Sequence, residues 1–173
     1  EMSVLNSFNI VISHNEKMSQ YLRSNGLVSR IVELDIFDYL LPVDLPINAT
    51  YRNNEIAFAG NLEKSIFLKR MGELQDFKVN LYGAPISEMQ PIVSNRNMYY
   101  KGCFASEDLI SHLSGGWGLV WDGDSLDWCN GIAGEYMRYN CPHKVSMYIV
   151  SERPIIIWNQ AAMADYVVKH NLG

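Results

Sequence analysis

The stretch EIAFAGNLEKSIFLKRM, residues Glu55 to Met71, decides the fold. Its first residues are a short, almost wholly apolar run, too short for a helix and suited to a strand. Gly60 breaks the run, and the residues after it read as a helix. A strand apolar on both faces is what a parallel sheet with two covered faces demands.

The same grammar recurs on both sides. Downstream, DFKVNLYGAP and NMYYKGCF are strands ended by Gly83 with Pro85 and by Gly102. SEDLISHLS is a helix with Ser106 as its expected N-cap. WGLVWDG and RPIIIW are further strands, and AAMADYVVKHN is a last helix. Upstream, Ile10 to Ile12 form a strand, and a helix closed by Gly26 follows. SRIVELDIF is the next strand. Between the two groups lies DYLLPVDLPINATYRNN, whose prolines and polar residues read as a linker. The expected organisation is residues 1–41, 42–54 as linker, and 55–173. The fold class is α/β, a Rossmann-like doubly wound parallel sheet.

Composition bounds the function. The chain has 173 residues, 48% of them apolar, and a net charge of −5. An acidic chain is no general nucleic-acid binder, whose footprint would be basic. Three cysteines without a CxxC pair favour reduced thiols over a disulfide framework or a zinc site. Cys141 stands at a helix start, where a thiol pKa can fall. No apolar run approaches the roughly 20 residues that span a bilayer. The expected location is cytoplasmic, with at most peripheral membrane association. The chain opens on Glu1 rather than Met, which suggests a fragment of a longer protein.

Doubly wound sheets bind ligands at the carboxyl ends of their strands. The residues there are His14, Gly60 with Asn61, Gly83, Gly102 to Phe104, and Asp122. Gly60 lets a backbone approach a ligand, and Lys64 follows it in a helix whose N-terminus would face the same place. YNCPHKVSMYIV, Tyr139 to Val150, reads as a helix with His143 and Lys144 in its first turn. That end of a helix dipole is positive and disfavours a cation, so an anion is expected beside Lys144. At one sheet edge, Lys64 and Lys144 can share a diphosphate. His14, at its strand end, suits a general base or a hydrogen-bond partner for a sugar, against the plainer reading of an exposed histidine. His112 and His170 look structural. Asp122, Gly123 and Asp124 resemble a DxD metal signature, with Asp127 as a third carboxylate; a polar loop lining the cleft is the plainer reading. The run Ser114 to Gly118 precedes a strand, so it reads as a turn and not as a phosphate cradle. Trp121, Trp128, Tyr136 and Tyr139 gather near this loop and suit either stacking on a ligand or core packing.

GEYMRYNCPHKVSMYIVSERPIIIWNQAAMADYVVKHNLG resembles the C-terminal region of a bacterial sugar-transferase family. That family includes β-1,6-galactofuranosyltransferases and the glucosyltransferases that build glycans on serine-rich adhesins. NCPHKVSMYIVSERPIII is more distantly similar to the NPxKxxEYxAxGxPVV segment of GT-B glycosyltransferases. SHNEKMSQYL and IFDYL resemble the end of the family's N-terminal domain. The resemblance implies the C-terminal half of a GT-B enzyme with the tail of its N-terminal domain. It implies a UDP-sugar donor carrying galactofuranose or glucose, and a glycan, glycolipid or glycoprotein acceptor. Lys144 and Lys64 would hold the diphosphate, Asn140 and His143 would line the donor pocket, and Gly102, Cys103 and Phe104 would border the base. The expectation is no metal and no cofactor beyond the donor, with cationic side chains neutralising the leaving group. Many family members carry a glutamate where this chain has Met147, which leaves Glu135 as the candidate for the ribose. The likeness also points to a homo-oligomer. A non-catalytic nucleotide-sugar-binding or assembly module of the same fold is the alternative, and a metal-dependent hydrolase built on Asp122, Asp124 and Asp127 is a third reading.

Overall fold

The computed structural model describes residues 2–42, 47, 51–84 and 96–173. Parts of the expected linker, 43–46 and 48–50, and Pro85 lie outside the described residues. The chain opens with helix α1 (Met2–Leu5), strand β1 (Ile10–Ser13), helix α2 (Glu16–Ser24) and strand β2 (Arg30–Glu33). Strand β3 (Glu55–Ala59), a 3-10 helix (Ile66–Glu73), strand β4 (Lys78–Tyr82) and strand β5 (Met98–Gly102) follow. Then come helix α3 (Ser106–His112), strand β6 (Trp117–Val120), helix α4 (Gly131–Tyr136), helix α5 (His143–Val150), strand β7 (Ile155–Ile157) and helix α6 (Ala164–Lys169).

The strands form two parallel sheets, β1-β2 and β5-β4-β3-β6-β7. In the larger sheet the chain lays down β3, β4 and β5 in one direction, then returns to place β6 and β7 on the other side of β3. The order reverses between β3 and β6. That reversal is a topological switch point, where helices leave on opposite faces and a crevice opens.

Alternation along the strands sorts the core into two layers. Ala57, Ala59, Tyr82, Val120 and Ile155 face α3, α5 and α6, whose Ile110, Val145, Tyr148 and Val167 pack against them together with Leu113 just after α3. Ile56, Phe58, Val79, Leu81 and Leu119 face the 3-10 helix through Phe67, Leu68 and Met71. Every residue of β3 is buried, as its apolar run predicts. The β1-β2 pair is more open: Ile10, Ile12 and Val32 are exposed.

Two local expectations change. Gly60 is followed not by an α-helix but by a turn, and the 3-10 helix begins only at Ile66. Asn61 is the cause. Its side chain accepts the Lys64 backbone N–H at 3.1 Å, and its carbonyl accepts the Ser65 hydroxyl at 2.8 Å, so local bonds replace the first helical turn. The 3-10 helix then sends the Phe67 N–H to the Gly123 carbonyl, not towards Gly60. Ser106 is the first residue of α3 rather than its N-cap; Ala105 holds the extended cap position. Glu107 and Asp108 supply the negative charge that suits that end of the helix dipole. Among the described residues no helix is long and apolar enough to cross a membrane.

Candidate functional site

The carboxyl ends of β3, β4 and β5 carry glycines, and the backbones close in because of them. The Gly60 N–H donates to the Tyr82 carbonyl at 3.0 Å, and the Gly83 N–H to the Gly102 carbonyl at 3.0 Å. A Cβ at Gly83 would run into the Gly60 carbonyl, and Gly83 has φ +150°. Gly102 has φ +120°, and a Cβ there would press on the Phe104 ring at 3.2 Å. Side chains at these positions would fill the space in front of the sheet. A cavity of about 330 Å³ occupies that space, lined by Gly60, Asn61, Tyr82, Gly83, Cys103 and Phe104.

Lys144, in the first turn of α5, reaches the rim of this edge. A Cβ on Gly60 would meet its Cε at 3.0 Å and its Nζ at 3.4 Å. The ammonium stands 4.6 Å from the centre of the Phe58 ring and donates to the Trp121 carbonyl at 3.4 Å. It pairs with Asp122 at 3.6 Å. Burial lowers its pKa, and Asp122 opposes that fall. β6 delivers Trp121 and Asp122 from the far side of the switch point, and β3 delivers Phe58 and Gly60 from the near side. The reversal in strand order thus assembles the site.

Tyr148, on the buried side of α5, closes the floor. β3 and β6 pair only through Ile56 and Ala57, then diverge. The Tyr148 hydroxyl fills the gap: it accepts the Ala59 N–H at 3.1 Å and donates to the Ala57 carbonyl at 2.9 Å. Gly118 makes room, since a Cβ there would overlap the ring. Burial drives the phenol pKa far above its ordinary value, so Tyr148 stays protonated. The sequence signal was a tyrosine on the buried stripe together with a glycine inside a strand, a mark of close approach.

The remaining candidates divide between the turn after Gly60, the loop at the start of α5 and the loop after β6. Lys64 is exposed in the turn that Asn61 closes. His14 Nδ1 accepts the Cys141 N–H at 3.1 Å, so the proton sits on Nε2 and the free nitrogen is a donor. Burial, then His143, lowers the His14 pKa. His143 stacks on Phe37 with ring centres 4.2 Å apart. Tyr139 packs on Tyr21 and gives its carbonyl to the Asn15 amide at 2.9 Å. The Asn140 Oδ1 atom is buried and has no hydrogen-bond partner among the described residues. Glu135 is turned into an ion pair with Arg138 at 2.7 Å. Asp122 and Asp127 serve different cations, Lys144 and Arg70. The expected lowering of the Cys141 pKa does not occur: burial pushes it up. Burial likewise lifts the Cys129 thiol to about 11.

Residues 56–173 match the model of the glucosyltransferase 3-like C-terminal domain, and residues 1–36 that of the glucosyltransferase 3-like N-terminal domain. The chain is 35% identical over 167 residues to a β-1,6-galactofuranosyltransferase, WbbI, of Escherichia coli (strain K12), covering 95% of this chain and 48% of that protein. It is 26% identical over 170 residues to glucosyltransferase 3 of Streptococcus parasanguinis, covering 97% of this chain and 47% of that one. It is 27% identical over 176 residues to glucosyltransferase 3 of Streptococcus gordonii, covering 99% and 49%. The chain therefore spans about half the length of these relatives. The C-terminal domain model covers more than half of the chain, and the chain belongs to the glucosyltransferase 3-like family.

Proposed function

We propose that this chain is the donor-binding part of a glycosyltransferase that takes a hexose from a UDP-sugar and passes it to a hydroxyl of a glycan acceptor. The observation that carries the reading is Lys144, a largely buried cation at a helix start beneath a glycine edge, on the switch point of the sheet. A diphosphate placed there would meet the ammonium and backbones free of side chains. The negative charge that develops on a leaving nucleoside diphosphate would be stabilised by Lys144, with the exposed Lys64, in the turn after Gly60, as the second cation. The cavity beside Phe104 suits a planar base, which stacks on an aromatic face. The names of the relatives, two glucosyltransferases and a galactofuranosyltransferase, support transfer of a hexose.

The test is calorimetric titration of the full-length protein with UDP, with and without a chelator, beside a transfer assay. Lys144→Ala should lower UDP affinity and reduce turnover by about 100-fold or more, the scale of a lost electrostatic contact in a reacting site. The chelator should leave affinity unchanged. A Lys144→Ala protein that binds UDP as the wild type does would sink the assignment. UDP binding without transfer by the full-length wild type would leave a binding module in place of an enzyme.

A further inference from the structure

A lysine at the start of a helix needs a reason to stay charged. The first-turn amides of α5 already present positive charge, and Lys144 is only 18% exposed, so water offsets little of its own. What surrounds the ammonium is limited. β3 and its turn contribute the Phe58 ring and Gly60, neither of them charged. The end of β6 contributes the Trp121 carbonyl at 3.4 Å and the Asp122 carboxylate at 3.6 Å. The loop before α4 contributes the Cys129 thiol, which burial keeps neutral. On its own helix, His143 is turned against Phe37. Asp122 is the one full negative charge at Lys144 among the described residues.

We propose that Asp122 is the positioning residue of the donor site: it anchors the Lys144 ammonium over Phe58 and under Gly60, and hands it to the diphosphate that takes over as counter-ion. The proposal rests on the reading of this site as a diphosphate pocket. Two effects of opposite sign follow from it. Asp122 repels an incoming anion, so its removal strengthens binding wherever Lys144 is charged. Asp122 also keeps Lys144 charged against burial, so its removal lets the proton leave at lower pH, and binding then fails sooner as pH rises. A residue that merely lined the wall would shift affinity by the same factor at every pH.

The experiment uses the full-length protein, wild type and Asp122→Asn. UDP affinity is measured by calorimetry between about pH 6 and about pH 9.5, bracketing the range over which a buried lysine loses its proton. Separately, Lys144 ionisation is followed by NMR with isotope-labelled lysine and no nucleotide. The expected result is a crossing: Asp122→Asn binds UDP about threefold more tightly at the acid end and about threefold more weakly at the alkaline end, a swing of about tenfold set by the shifted Lys144 proton. Lys144 should titrate about one pH unit lower in the variant. Parallel affinity curves with an unmoved Lys144 titration overturn the proposal. If UDP binds neither protein, the diphosphate reading fails and the Lys144 titration alone decides: a lowered midpoint keeps Asp122 as the anchor, an unmoved one removes it. Should Asp122→Asn not fold, Asp122→Glu keeps the charge and displaces it by one methylene. A moved Lys144 midpoint with a pH-dependent change in UDP affinity then supports the proposal, and an unmoved midpoint overturns it.

Discussion

At the scale of single residues, the site is built from groups whose chemistry is set by what surrounds them. Tyr148 is the clearest case. Its hydroxyl satisfies the Ala59 N–H and the Ala57 carbonyl where β6 has turned away from β3. Tyr148→Phe leaves both backbone groups buried and unpaired, so it should cost about 2–3 kcal/mol in denaturant unfolding. A loss under about 0.5 kcal/mol would mean the strands close the gap themselves. His14 gives the pH-dependent case. Its folded pKa lies below the ordinary 6.5, with burial the main cause and His143 the second. As pH falls through 6.5 the unfolded chain takes up a proton that the folded chain refuses, so stability drops until the folded pKa is passed. The protonated ring also loses the lone pair that accepts the Cys141 N–H. His14→Asn places an acceptor oxygen near the same spot and does not titrate there. Its stability should therefore fall less than the wild type's between about pH 7 and about pH 5, and a thermal melt at both values checks this. Equal acid sensitivity in the two proteins would remove His14 from the account.

At the scale of elements, the strands were legible in the sequence because each is a short apolar run closed by a glycine or a polar turn. The run Ile56 to Ala59 allowed no other reading, and the two covered faces of β3 follow from it. The helices were legible where periodicity was strong, as in α2 and α5. The element after Gly60 was not, since Lys64 to Met71 has helical periodicity but Asn61 captures the first turn. Competition between a side chain and the backbone leaves no mark on hydrophobic pattern. Lys144 was legible as an oddity of charge at the wrong helix end, whereas its partners were not. Asp122 lies far from it in the chain, and Phe58 reads as core. Only the reversal of strand order brings the ends of β3 and β6 to the same lysine. Arg153 shows a further limit. The sequence places it only at the head of the RPIIIW run, yet it is 5% exposed and donates to the carbonyls of Leu113 and Gly115, which ties the end of α3 to the start of β7.

At the scale of the molecule, the β1-β2 unit meets the larger sheet through the same loop that introduces Lys144. Asn15 has two bonds with two purposes. Its Oδ1 accepts the Met18 N–H at 3.0 Å and caps α2, while its Nδ2 donates to the Tyr139 carbonyl at 2.9 Å. One residue on from Tyr139 is Asn140, and then Cys141, whose N–H is held by His14. Ser146 of α5 adds a bond to the Phe37 carbonyl at 2.6 Å. Lys17 and Asp165 pair at 2.9 Å, but both are well exposed and contribute little. The start of α5, and with it the direction of Lys144, is therefore fixed from residues far upstream in the chain. Asn15→Asp separates the two purposes. Aspartate is as good a cap, so α2 should persist. It cannot donate to Tyr139, and its carboxylate faces that carbonyl. The expected result is a loss of about 1–2 kcal/mol in unfolding free energy and faster hydrogen exchange at the amides of Asn140 and Cys141, with α2 amides unchanged. Protection that weakens in α2 instead would place the whole effect of Asn15 in its cap and leave the loop to hold itself. Protection unchanged in both would mean that the packing of Phe37 against His143, and of Tyr21 against Tyr139, suffices to orient α5 without the amide.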